Sequence, residues 1–122
     1  ENVTGVRPTL FRCPYGEYND LVIETVNGMG ITPVQWDVDS LDWKGLSADE
    51  ISERVLNNVK SGSIILFHNA GEHTPEALPA VLDYLKREGY RIVPVSEPMR
   101  FISSTLRAST AAAWAQPHAM AS

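Results

Sequence analysis

Stretches that read as strand alternate with stretches that read as helix along most of this chain, and the alternation leaves few folds open. Residues 7–13 (RPTLFRC) mix apolar and polar side chains like a strand, and Pro14, Tyr15 and Gly16 punctuate it as a turn. Within residues 19–29, Leu21, Val22, Ile23 and Val26 fit one helix face, with Asn19 as N-cap and Gly28 and Gly30 as the stop. Residues 31–38 (ITPVQWDV) form a second strand, followed by a loop over 39–45. Ser47 and Glu50 have the capping-box spacing and open a helix to Lys60, with Ile51, Val55, Leu56 and Val59 on its buried stripe. Residues 63–67 (SIILF) are continuously apolar, the pattern of a strand buried on both faces of a parallel sheet. Thr74 followed by Pro75 marks a helix start, a cap and then proline at the first helical position; Gly89 ends that helix. Residues 90–96 (YRIVPVS) are expected to be the last strand.

The order β-α-β-α-β-α-β, with crossover helices of about three turns, predicts an α/β fold with parallel strands. A closed (β/α) barrel needs roughly eight strands. This chain is therefore expected to form the C-terminal part of a barrel, incomplete without an N-terminal half. It begins at Glu1 with no initiator Met, and strand-like sequence starts within a few residues, as expected of a piece of something longer.

Composition narrows the partners more than the fold. At 43% hydrophobic and 20% charged the chain reads as globular. A formal net charge of -5 argues against nucleic acid or an anionic membrane surface and is compatible with a neutral substrate. No apolar run is long enough to span a membrane. Cys13 is the one cysteine, so an internal disulfide is impossible and the redox compartment stays open. Residues 1–100 are taken as one domain portion and 101–122 as an extension. The Ala/Ser-rich end (ASTAAAWAQPHAMAS) reads as an expression remnant or frayed segment, or as a strap onto a partner through Trp114.

In barrels and open α/β sheets, chemistry gathers at the C-terminal ends of strands. Three strand ends here carry unusual polar residues: Arg12 to Gly16, Asp37 to Trp43, and Leu66 to Asn69. An Asp bonded to a His fixes the imidazole tautomer and favours its protonated form, which can act as a general acid. An Arg can hold a second carboxylate, and Trp and Tyr faces suit sugar rings. Each residue also has an ordinary structural role open to it. His68 can be a hydrogen-bonded structural histidine, and Asp42, Asp39 or Asp37 can each cap a loop. Arg12 can be a surface ion-pair partner, and Trp43 can be core. Cys13 reads as a small buried apolar group. His73 reads as solvated, and neither it nor His118 has a second ligand at metal spacing.

Taken in order, the three clusters resemble the polysaccharide deacetylase family, carbohydrate esterase family 4 (the NodB-homology domain), which carries five ordered motifs on a distorted (β/α) barrel. Arg12-Cys13-Pro14-Tyr15-Gly16 resembles its third motif, RxPYG. Asp39-Ser40-Leu41-Asp42-Trp43 resembles the fourth, DxxDW, and Leu66-Phe67-His68 the fifth, LxH. The similarity covers roughly residues 7–97. Residues 62–97 look most like the bacterial, sporulation-associated branch.

The resemblance implies removal of N-acetyl groups from N-acetylglucosamine-containing polymers such as peptidoglycan or chitin, helped by a divalent metal, usually zinc. It implies His68 as the general acid, Asp42 as its orienter and Arg12 as the tether of a catalytic-base Asp. The backbone N–H of Tyr15 would help an oxyanion. Tyr15, Pro14, Trp43, Leu66 and Asp39 would line the acetyl and sugar pocket. It further implies an extracellular or cell-wall location. The first and second motifs, TFDDG and HSxxH, which would supply the base and the metal ligands, do not occur in the sequence. No metal ligand is therefore assigned to this chain. The chain alone is expected to be inactive, and its partner is expected to be the N-terminal half as a separate chain. Two other readings stand beside this one. The first is a non-catalytic sugar-binding remnant. The second is a generic α/β domain for a phosphate-type ligand, which lacks a glycine-rich loop.

Overall fold

The computed structural model describes residues 3–97, which fall into two compact units divided between Trp36 and Asp37. The expected α/β alternation with parallel pairing is present. In the first unit, strand β1 (Leu10–Arg12) pairs in parallel with β2 (Thr32–Val34), with Leu10 opposite Thr32 and Arg12 opposite Val34. Helix α1 (Asp20–Gly28) connects them. It starts where expected, because the Asn19 side chain accepts the Val22 N–H at 3.0 Å and removes one orphan donor of the first turn. Val26 is its buried residue.

In the second unit β3 (Val38–Asp39) pairs in parallel with β4 (Ile65–Leu66), Val38 opposite Ile65 and Asp39 opposite Leu66. Helix α2 (Ala48–Asn58) opens on the capping box. Glu50 N–H donates to the Ser47 hydroxyl, and Glu50 Oε2 accepts Ser47 N–H at 2.8 Å. Helix α3 (Thr74–Arg87) packs against α2. Between them Val55, Val81 and Leu85 meet Val38 from β3 in one buried cluster, with Ile65, Phe67 and Tyr90 around it. Ile51 and Val55 are wholly buried, and truncating such a residue to Ala costs about 2–4 kcal/mol. Among the described residues no helix is long and apolar enough to cross a membrane.

Three expectations need correction. Residues 31–38 are not one strand: β2 serves β1 and β3 serves β4, and residues 35–37 pair with neither. Asp37 helps to end the first run, because its carboxylate accepts Ile64 N–H and the Ser63 hydroxyl, both at 2.8 Å. Residues 63–67 are half-buried rather than buried on both faces, since β4 has β3 as its strand neighbour on one side among the described residues. Residues 90–96 form no strand. Tyr90 packs on the α2/α3 core, and Arg91 reaches Glu97 at 2.7 Å across a turn. The extension at 101–122, with Trp114 and His118, lies outside the described residues.

Candidate functional site

The second unit builds its site on Asp42. The loop after β3 turns sharply. Asp39 Oδ1 accepts Leu41 N–H at 3.0 Å, and Leu41 adopts a left-handed conformation at φ 55°. A β-carbon crowds the backbone in that region, so a leucine there is held by its surroundings. The turn drives Asp42 inward, where it is 1% exposed at the start of a short 3-10 turn (Asp42–Lys44).

A carboxylate this buried must be paired. Oδ1 meets His68 Nδ1 at 2.7 Å. Oδ2 accepts the His68 backbone N–H at 2.9 Å and the Thr74 hydroxyl at 2.6 Å. Beside it, Ser40 Oγ accepts Asp42 N–H at 3.4 Å. Burial by itself raises the Asp42 carboxyl. The hydrogen bonds from His68, Thr74 and Ser40 together outweigh it and hold the carboxyl below its ordinary value. An ionised carboxylate only accepts, so His68 Nδ1 carries a proton. That leaves Nε2 as the ring nitrogen free for chemistry, on a side chain 32% exposed.

Trp43 stands edge-on to the His68 ring with centroids 6.3 Å apart. It is not core: 55% of it is exposed, with the Lys44 ammonium 5.2 Å from its ring centre. Leu66, two residues before His68, is half-buried on β4 and pairs in register with Asp39. Asp39 spends Oδ1 on the loop, and its carbonyl accepts Arg54 Nε–H at 2.7 Å. His73 is held by Glu76 at 2.9 Å on the surface.

Arg12, Pro14 and Tyr15 belong to the first unit. Arg12 closes β1 with its guanidinium 5.7 Å from the Trp36 ring centre. Cys13 is buried, as expected. Pro14–Gly16 form a 3-10 turn in which Tyr15 takes φ 57° and is 93% exposed. Gly16 is required there. It sits at φ 73°, and a β-carbon would lie 2.7 Å from both Gln35 Nε2 and Trp36 Cη2. Among the described residues the left-handed non-glycine residues are Tyr15 and Leu41, and they fall in two of the three loops singled out from sequence.

The structure therefore brings Asp42, His68, Trp43, Leu66 and Asp39 together in one unit, and gathers Arg12, Pro14 and Tyr15 in the other. Among the described residues no three His, Cys, Asp or Glu side chains gather where they would hold a metal. Thr74, Ser40 and Gly71 escaped the sequence reading. Thr74 carried a signal, but its hydroxyl was assigned to helix capping, whereas the residue before the helix is His73 and makes no side-chain cap. Nothing local in sequence points from Thr74 to a carboxylate 32 residues away.

A buried carboxylate paired with a half-exposed imidazole, with an exposed Trp beside it, is an arrangement able to carry a proton. Comparison with known proteins points to a family. The polysaccharide deacetylase family model matches residues 1–34. A peptidoglycan N-acetylglucosamine deacetylase of Bacillus cereus is 40% identical over 99 residues, covering 77% of this chain and 46% of the relative. A crystal structure of a peptidoglycan N-acetylglucosamine deacetylase superposes with a TM-score of 0.72 at 35% identity, over 77% of this chain and 46% of that one. A pseudoenzyme of carbohydrate esterase family 4 from Bacillus anthracis superposes equally well, at 0.72 and 29% identity, over 79% of this chain and 34% of that one. This chain thus spans less than half the length of each, in keeping with an incomplete barrel. Together these similarities support the polysaccharide deacetylase family, carbohydrate esterase family 4, for this chain.

Proposed function

We propose that this chain supplies the acid side of a metal-dependent N-deacetylase site acting on N-acetylglucosamine-containing glycan, peptidoglycan or chitin-like. The observation that carries the reading is the buried Asp42 carboxylate 2.7 Å from His68 Nδ1, which leaves Nε2 to do chemistry. Amide hydrolysis needs a proton on the departing amine, because an amide anion is too basic to leave. His68, protonated at both nitrogens, gives the Nε2 proton to that amine. Asp42 holds the ring and stabilises the imidazolium. Trp43 offers its exposed face to the sugar, Leu66 lines the acetyl pocket beside it, and Asp39 shapes the loop beneath. Pro14, in the first unit, is assigned to substrate contact on its own side. The Tyr15 backbone N–H serves the developing oxyanion. Arg12 tethers the base carboxylate of the complementary part.

The described residues do not fit a metal site. The divalent metal, zinc by resemblance, is therefore assigned to that complementary part, along with the base. The partner is an N-terminal half bearing TFDDG- and HSxxH-type motifs, as a separate chain, and this chain by itself is inactive. The glycan substrate places the assembled protein outside the cell or at the cell wall. The pattern of residues 62–97 favours the sporulation-associated branch. A second reading, a sugar-binding remnant without catalysis, draws on the exposure of Trp43 and on the similarity to a pseudoenzyme.

Mixing the chain with a fragment that carries the two absent motifs, adding zinc and measuring acetate release from an N-acetylglucosamine oligomer decides between them. Release that falls at least a hundredfold in His68→Ala supports the enzyme. Binding of the oligomer without release supports the remnant.

A further inference from the structure

The loop between β4 and α3 leaves the sheet at His68 and enters the helix at Thr74, and both ends bond one oxygen. Asp42 Oδ2 accepts the His68 backbone N–H at 2.9 Å and the Thr74 hydroxyl at 2.6 Å. Within the loop, Gly71 N–H donates to the His68 carbonyl at 3.2 Å, and Thr74 N–H to the Gly71 carbonyl at 3.4 Å. Gly71 lies so close that a β-carbon there would sit 2.0 Å from Thr74 Oγ1 and 2.6 Å from Asp42 Oδ2.

Thr74 is itself buried, at 7% exposure, and as the expected cap it would turn its hydroxyl to the helix N-terminus. It is turned instead to the carboxylate. A carboxylate held at one oxygen only can swing about its Cβ–Cγ bond. Held at Oδ2 by two donors from opposite ends of a loop, it presents Oδ1 to His68 in one orientation.

We propose that Thr74 is a positioning residue for His68, acting through Asp42, and that Gly71 is the residue whose missing side chain admits it. The proposal rests on the reading of His68 as the proton donor for its consequence in catalysis, but not for its test. With the Thr74 hydroxyl gone, Oδ2 keeps only the His68 backbone N–H, the carboxylate turns more freely, and Oδ1 selects Nδ1 less strictly, so that the imidazole samples both tautomers.

The test is nitrogen NMR of the His68 ring in the full 122-residue chain at about pH 9, well above the ordinary imidazole range. The unaltered chain is expected to give a single tautomer with Nδ1 protonated and Nε2 bare. Thr74→Val, which keeps the shape and removes the hydroxyl, is expected to lose that single-tautomer signature, and Thr74→Ser to restore it. A Thr74→Val spectrum matching the unaltered chain overturns the proposal. If Thr74→Val does not fold, Thr74→Ala is read in its place. If neither folds while Thr74→Ser does, the hydroxyl is a requirement of the fold and the positioning role is overturned. Failure of the deacetylase reading appears in the acetate assay and leaves this spectrum unchanged.

Discussion

Asp42 grips His68 twice, its Oδ1 on the ring Nδ1 at 2.7 Å and its Oδ2 on the backbone N–H at 2.9 Å. One contact aligns the imidazole, and the other fixes the backbone from which the imidazole hangs. Twenty-six residues separate them in the chain. The pairing therefore depends on β3 and β4 lying side by side, with Asp39 opposite Leu66 setting the register of the two strand ends.

Replacing Asp42 by Asn tests how much of the unit hangs on that grip. The amide keeps one acceptor but turns a donor toward groups that already donate. In the place of Oδ2 the NH2 leaves the buried His68 N–H without an acceptor, and in the place of Oδ1 it forces the His68 ring to the other tautomer. The expected loss is about 2–3 kcal/mol, read as a lower urea midpoint. A midpoint unchanged from the parent would mean that the carboxylate contributes little to folding.

The acid limb of stability follows from the same group. Its folded value is depressed, so the native state holds the proton less tightly than the unfolded chain does. Asp42 therefore adds stability above its unfolded value of about 4, and that stability drains away as pH falls below it, through the folded value. Urea midpoints measured from pH 6 down to pH 2.5 should fall more steeply for the parent than for Asp42→Asn. Parallel curves would assign acid sensitivity to other carboxylates.

Gly71→Ala is expected to destabilise by about 1–3 kcal/mol, because the added methyl must displace Thr74 Oγ1 or the Asp42 carboxylate. Amide spectra should show shifts concentrated at His68, Asp42 and Thr74. Shifts spread evenly along α3 instead would mean that the helix, rather than the carboxylate, yields.

Ser47→Ala is the counterpart at a wholly local feature. It removes the acceptor for Glu50 N–H and one of the two Ser47 donors to Glu50 Oε2, for an expected loss of about 1 kcal/mol by urea titration. Ser47 and Glu50 could be found from sequence because every group involved lies within three residues. Asn19 was legible for the same reason. The Asp42–His68 pair was legible differently: the two stand at the ends of strands expected to run parallel, so their meeting needs only correct pairing. Thr74 was misassigned because two uses for one hydroxyl, a helix cap and a distant carboxylate, look identical in sequence. Residues 90–96 have strand-like composition. Composition cannot supply a neighbouring strand, and among the described residues they have none. The break within 31–38 was hidden likewise, since Val34 and Val38 look alike and differ in which strand they serve.

Tyr15 separates the demands of fold and function most directly. Its φ of 57° costs a side-chain-bearing residue about 1 kcal/mol, and at 93% exposure its ring recovers almost none of that by packing within the described residues. Glycine adopts the same angle freely. Tyr15→Gly is therefore expected to hold stability level or raise it by up to about 1 kcal/mol, the relief offset by the greater freedom of glycine in the unfolded chain. If the ring lines the sugar pocket, as the family resemblance implies, the same variant weakens binding of an N-acetylglucosamine oligomer to the reconstituted pair, while its backbone N–H remains. Stability and binding then move in opposite directions. A fall in both would make the Tyr15 ring a structural element of the turn.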